Sequence, residues 1–201
     1  MNGSLFIRAI LIVIGYAFGL IQSGYYYGKL KGIDIREHGS GNVGATNSLR
    51  VLGPKAGGLV LACDFLKAFI PTLIVGLIWK DKPIHYIYML YIGLGVMLGH
   101  NFPAQLKFKG GKGVASTAGM LFAVDWRLGL ILLAVFAIIT LTTRLVSLAS
   151  ITDMMLFIIA TLLFSDQGME VSLLVIIICG MSIIRHASNI ERLLNKTEKQ
   201  I

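Results

Sequence analysis

The chain has 201 residues, 56% of them hydrophobic and 14% charged, with a formal net charge of +8. With a mean hydropathy of +0.79, it lies outside the range of ordinary soluble domains. The apolar residues come in blocks of about 17 to 25 with few charges, the length that crosses a hydrocarbon core, so the expected fold is an all-α integral membrane protein. Residues 1–201 read as a single transmembrane domain.

The first apolar run covers 4–24. It is followed by "GLIQSGYYYGKLKG" with no small-x-small cleavage site, so it reads as a retained span and not a signal peptide. Next comes a stretch of another character, "GSGNVGATNSLR" from Gly39 to Arg50. Further spans are expected at 56–79, 85–103, 112–125, 127–143, 146–165 and 170–186, giving a bundle of about seven helices. The run at 112–125 opens directly on "GGKG" and reads as a short or partly re-entrant helix. Segments such as "GLILLAVFAII" are apolar on every side, which excludes the alternating pattern of a membrane barrel.

Basic residues set the orientation. With the N-terminus outside, the inner face collects Lys29, Lys31, Arg36, Arg50, Lys55, Lys107, Lys109, Lys112, Arg144, Arg185, Arg192, Lys196 and Lys199. The outer face keeps Arg8, Lys80, Lys82 and Arg127, so the C-terminus and the polar loops at 39–50 and 106–113 are expected to be cytoplasmic. Orientation and attraction to anionic lipids account for most of the positive charge. The basic residues lie in short loops without interleaved aromatics, which argues against nucleic-acid binding. Cys63 and Cys179 fall within apolar spans and read as packing residues, and no metal-type spacing occurs.

In "SGNVGATN", Gly41 and Gly44 allow backbone N–H groups to turn toward a ligand, while Ser40, Asn42, Thr46 and Asn47 offer short side-chain donors suited to phosphate. A helix starting near Ala45 would put Thr46 and Arg50 on one face, gripping the same anion. "FKGGKGVAS" repeats the theme with Gly110, Gly111, Lys112 and a following helix N-terminus. By itself "GGKG" is more often a plain turn than a binding site, whereas a plain turn does not need the four side-chain donors of "SGNVGATN", which reads as functional. The third cluster is "RHASNIERLL", where His186 and Asn189 share one helical turn and histidine can exchange a proton near neutrality. Within the spans, Asp64 and Lys67 are three apart and expected to pair, while Asp153 has no evident partner beyond Arg144.

"GSGNVGATN", "GHNFP…FKGGKGVAS" and "RHASNI", in that order and at fitting distances, resemble the three signature motifs of the bacterial membrane acyl-phosphate:glycerol-3-phosphate acyltransferase family. The resemblance implies transfer of a fatty acyl group from acyl phosphate to the 1-hydroxyl of sn-glycerol 3-phosphate, giving lysophosphatidic acid at the start of phospholipid synthesis. It also implies no cofactor, no obligatory protein partner, and a location in the bacterial inner membrane with the active site at the cytoplasmic face. Carried over by position, the first motif falls on Ser40, Gly41, Asn42, Thr46 and Arg50, the second on Gly110, Gly111 and Lys112, and the third on His186 and Asn189. The chain departs from the family pattern at Leu20, Gln22, Ala68, Ser116 and Ser188. His186 has Glu191, not Asp, at the fifth position after it, so the His-x-x-x-x-Asp dyad of the other large acyltransferase class is absent. The expected division of labour has Ser40, Arg50 and Lys112 holding phosphate, His186 and Asn189 orienting the glycerol, and the departing phosphate taking the hydroxyl proton. A small membrane transporter of phosphate or an organic phosphate is the competing class; it would carry an internal repeat and charged or broken segments at the midplane, which the sequence lacks.

Overall fold

A computed structural model describes residues 2–201, with side chains from residue 5 onward. Among the described residues the regular elements are all helices, without a strand. The helices are α1 (Asn2–Gly19), α2 (Ser23–Leu30), α3 (Ala45–Leu52), α4 (Pro54–Ile78), α5 (His85–Asn101), α6 (Val114–Val124), α7 (Trp126–Thr143), α8 (Val146–Phe164), α9 (Met169–Arg185) and α10 (Ala187–Leu194). Each of the seven apolar runs is therefore helical, and all but the first end within two residues of the expected bounds.

Leu5–Leu30, α4, α7 and α8 are long and apolar enough to cross a membrane, and α9 with α10, bent by 59° at His186, makes a fifth candidate. At 17 residues α5 is just shorter than these, and α6 has 11, the short helix expected after "GGKG". Large apolar side chains cover the outside, among them Val13, Leu61, Ile131, Leu141 and Leu163, as a lipid-facing surface requires.

The first run departs from expectation by breaking at residues 20–22 instead of running on to 24. Gln22 leaves the helical region, and its buried amide donates to the carbonyls of Gly19 (2.9 Å), Gly99 (3.2 Å) and His100 (3.2 Å). One side chain thus caps two helix ends where no water reaches. Helix α5 is the axis of the bundle, buried along most of its length from Tyr88 to Asn101. Glycines let α1 pack backbone to backbone against it. A Cβ on Gly15 would stand 2.2 Å from the Ile92 carbonyl, on Gly95 2.3 Å from that of Ile12, and on Gly99 2.3 Å from that of Tyr16. Gly15/Gly19 and Gly95/Gly99 are facing small-xxx-small pairs, the geometry that drives helix association where lipid removes the hydrophobic incentive.

Inside the bundle Lys67 Nζ donates to Asp64 Oδ1 (2.8 Å) and to the Ile21 carbonyl at the α1 break (2.6 Å), and lies 2.7 Å from His100 Nδ1. The expected Asp64–Lys67 pair forms and also ties α4 to α1 and α5. Ser116 donates its hydroxyl to the Asp64 carbonyl at 3.0 Å, and Ala68 is fully buried in the main apolar core, so both departures from the family pattern are absorbed by packing.

Candidate functional site

The 39–50 loop is built by its own asparagines. Asn47, 2% exposed, accepts from the Ser40 amide at 2.8 Å and donates to the carbonyls of Asn42 (2.9 Å), His38 (3.0 Å) and Ile35 (3.3 Å). Asn42 Oδ1 accepts from the Gly44 amide at 2.9 Å, a turn that launches α3. Gly39 takes φ +63, and a Cβ there would meet Asn47 Oδ1 at 2.2 Å, so only glycine lets the asparagine close the loop. Asn47, read from sequence as a phosphate donor, thus spends its amide on the loop backbone, whereas Asn42 commits only its oxygen to the turn and lines the cavity. Gly41, at φ +70, gives its N–H to the His38 carbonyl and is likewise a turn residue. Ser40, Thr46 and Arg50 remain on the cavity side; α3 does begin at Ala45, which sets Thr46 and Arg50 on one face.

The second loop is also spent on structure at its glycines. Gly110 and Gly111 donate their N–H groups to the carbonyls of Asn101 (3.2 Å) and His100 (3.0 Å). Their own carbonyls accept Arg185, from Nη2 at 2.8 Å and Nε at 3.1 Å respectively. A Cβ on Gly110 would sit 2.0 Å from the His100 carbonyl oxygen, and one on Gly111 2.1 Å from the His100 ring. The pair splices the loop onto the end of α5, and the expectation that it cradles phosphate with its amides gives way to that role. What this splice delivers to the cavity is Lys112 and the start of α6, from Gly113 to Ala115. Neither α3 nor α6 has a side-chain N-cap, so two helix N-termini open on one cavity with their first N–H groups available for an anion.

The third cluster sits where α9 gives way to α10. Ser182 donates its hydroxyl to the Lys112 carbonyl at 2.8 Å, and the Ser182 carbonyl lies 2.8 Å from His186 Nδ1. A carbonyl accepts only from a donor, so Nδ1 carries a proton, and in the neutral ring Nε2 has the lone pair. Lys112 Nζ donates to Asn189 Oδ1, and burial lowers the lysine to about 8. By contrast Ser188 and Glu191 are exposed, so neither a carboxylate at 188 nor the one at 191 would reach the buried face of His186.

Ser147, Arg192 and Glu198 also belong to this cluster, and the motif reading missed them. Asn189 Nδ2 donates to Glu198 Oε1 (2.6 Å), as does Ser147 Oγ (3.0 Å), while Arg192 Nε donates to Oε2 (2.7 Å). Arg192 carries a sequence signal, since it lies three residues beyond Asn189 on a helix. Ser147 and Glu198 carry none, being brought in by chain folding.

A cavity of about 470 Å³ joins these groups. Ser40, Thr46, Arg50, Lys112, His186 and Asn189 line one end, and Leu121, Phe122, Leu132, Phe136 and Phe157 the other. Asp153 lies on its wall, buried to 8% exposure, and its Oδ1 has no hydrogen-bond partner among the described residues; the possible match with Arg144 is not made. The arrangement can hold a small anion at the polar end and an apolar chain along the rest.

Residues 9–196 match the family model described as glycerol-3-phosphate acyltransferase. Among curated relatives, a "Glycerol-3-phosphate acyltransferase" of Pseudothermotoga lettingae is 46% identical over 94% of this chain and 91% of its own length. One of Bacillus subtilis is 44% identical over 96% and 97%. Among solved structures, the glycerol 3-phosphate form of PlsY, an integral membrane glycerol 3-phosphate acyltransferase, superposes with a TM-score of 0.88 at 41% identity, covering 96% of this chain and 95% of that one. The lysophosphatidic acid form gives a TM-score of 0.85 at the same identity and coverage.

Proposed function

The chain belongs to the glycerol-3-phosphate acyltransferase family of integral membrane enzymes, and from that premise we propose that its acyl donor is a fatty acyl phosphate and its product 1-acyl-sn-glycerol 3-phosphate. The observation that carries this reading is the joined cavity, with cations and short hydroxyls at one end and aromatic and aliphatic walls at the other. Glycerol 3-phosphate and the donor's phosphate both need the first kind of surface, and the acyl chain needs the second.

Acyl phosphate is a mixed anhydride and already activated, so the protein has to align an alcohol with the acyl carbon and stabilise charge. In the proposed step the glycerol 1-oxygen forms a bond to the carbonyl carbon, the bond from that carbon to the phosphate oxygen breaks, and the departing phosphate takes the hydroxyl proton. Ser40 and Arg50 with the α3 N-terminus hold one phosphate. Lys112 and the α6 N-terminus neutralise charge on the other, and Asn189 with His186, presenting Nε2, orients the glycerol. No residue forms a covalent intermediate, and the chemistry calls for no cofactor.

The basic residues gathered around the 39–50 loop, Lys112 and the C-terminal segment support a site at the cytoplasmic face of the inner membrane, with residues 1–201 acting as one transmembrane unit. The acyl chain would lie among α6, α7 and α8, and both phosphates at the interface.

The test is phosphate release from palmitoyl phosphate by the purified protein in lipid-replete detergent, with and without sn-glycerol 3-phosphate, and with acyl-CoA as a control donor. Release that depends on glycerol 3-phosphate, with lysophosphatidic acid formed and acyl-CoA ignored, supports the reading. Folded protein that turns over acyl-CoA instead would sink the donor assignment, and flux of an organic phosphate into liposomes without turnover would replace catalysis by transport. Full turnover in His186→Gln beside abolished turnover in Ser40→Ala would remove the histidine from the mechanism.

A further inference from the structure

After α10 the chain reverses at Lys196, which takes φ +59, and residues 197–201 fold back over the polar end of the cavity. The Thr197 amide donates to the Arg192 carbonyl at 2.8 Å and the Ile201 amide to that of Arg144 at 3.1 Å, so the segment is tied to two different helix ends. This return brings Glu198 against Asn189, Ser147 and Arg192 through the three hydrogen bonds given above. We propose that Glu198 is a positioning residue for glycerol 3-phosphate, its carboxylate fixing Asn189, Ser147 and Arg192 in the arrangement that receives the substrate. The inference rests on the acyltransferase reading above.

The argument turns on the Asn189 amide, which has one donating and one accepting end. Its Nδ2 faces the Glu198 carboxylate and its Oδ1 faces the Lys112 ammonium. Flipped by half a turn, it would set oxygen against oxygen and N–H against ammonium, so the two charges together permit one orientation. Without the carboxylate, half of that constraint is lost and the amide can turn away from Lys112. Ser147 and the Nε edge of Arg192 lose the same anchor.

Charge points the same way. The charged groups acting on Lys112 are Glu198, Arg192, Arg185 and Arg50, with His186 beside them, and Glu198 is the acidic member of that set. Burial works against its ionisation, but hydrogen bonds from Arg192, Asn189 and Ser147 prevail and hold its pKa below the usual carboxylate range. It therefore remains an anion at any pH where the enzyme would work, opposing the repulsion that its removal would leave among the cations. If the carboxylate instead occupied the locus meant for substrate phosphate, the segment would compete with glycerol 3-phosphate, and the two roles predict opposite changes in KM.

The experiment compares wild-type protein with Glu198→Gln and Glu198→Asp, full chain, measuring KM for glycerol 3-phosphate, kcat, their pH dependence, and Tm. Glu198→Gln should raise KM about tenfold, the scale of leaving one hydrogen-bonding group unpaired, with a smaller change in kcat. It should also draw the alkaline limb of kcat/KM to lower pH, a shift that loss of structure alone would not produce. Glu198→Asp should recover part of both. An unchanged KM or an unmoved limb, with or without a change in Tm, overturns the inference, and a lowered KM overturns it in favour of a competing segment. Wild-type protein without glycerol 3-phosphate-dependent release would refute the acyltransferase reading instead, before any variant is compared.

Discussion

Replacing Lys67 by methionine tests whether the buried polar node holds the site together. The side chains of Lys67 and Asp64 are 2% and 3% exposed, and Nζ lies within 2.8 Å of three separate elements' acceptors. Methionine fills nearly the same volume but leaves Asp64 with only Ser23 Oγ, at 2.7 Å, as a polar partner, and strips the Ile21 carbonyl and His100 Nδ1 of theirs. Breaking a buried ion pair on one side costs about 3–5 kcal/mol, mostly the penalty of the uncompensated charge. For a chain of this size that is a fall in Tm of roughly 6–20 °C. Removing both charges in Asp64→Leu/Lys67→Met avoids the orphaned carboxylate, so the double variant should recover at least half of the loss. Alkylation of Cys179, fully buried and free, reports unfolding in detergent directly as temperature rises. A Tm within about 2 °C of wild type for Lys67→Met, or a double variant as unstable as the single one, would refute the reasoning.

Gly110→Ala should abolish activity and lower stability, because its Cβ would lie 2.0 Å from the His100 carbonyl; Gly58→Ala, with nothing within 4 Å, should leave both at wild-type levels, and equal behaviour of the two in a thermal melt and turnover assay would count against the splice. Lys112, lowered to about 8 by burial, is charged below that pH and loses its charge as pH rises through it, whereas an ordinary lysine holds it to 10.5. KM for glycerol 3-phosphate should therefore climb above about pH 8, and Lys112→Arg should carry the limb to higher pH; a limb unmoved by arginine would assign it to another group. Asp153→Leu should raise stability by about 1–3 kcal/mol, since it removes a buried carboxylate oxygen that has no partner. A lower Tm would mean that Asp153 has a partner in the membrane-embedded protein.

The helices were legible because lipid demands continuous apolar runs, and each expected run is a helix. The break at residues 20–22 was not, since it depends on Gln22 finding three carbonyls on α1 and α5, a partnership that sequence distance conceals. Ser40, Thr46, Arg50, Lys112, His186 and Asn189 were singled out from motifs and do line one cavity. Asn47, Gly110 and Gly111 were singled out on the same chemistry and are turned to other uses. The reason is physical: the groups that bind phosphate, amide donors and flexible glycines, are also those that close a tight loop, and composition does not say which acceptor they meet. Glu198 could not be found at all, because a lone glutamate beyond the last helix gains meaning only when the chain folds back.

That substitution of roles bears on how the anion is held. With the paired glycine amides committed to α5, the groups left facing the cavity with positive character are side-chain cations and the first turns of α3 and α6. The second loop is itself held by side chains of α9: Arg185 grips the two glycine carbonyls, and Ser182 grips the carbonyl of Lys112, 70 residues away in the chain. Motifs two and three therefore share one set of hydrogen bonds and should behave as one unit in energetic terms. Lesions at Ser182 and Gly111 would each release the same loop, so their combined cost should fall well short of the sum of the two, whereas either combined with a lesion at Arg50, on the separate α3 platform, should add.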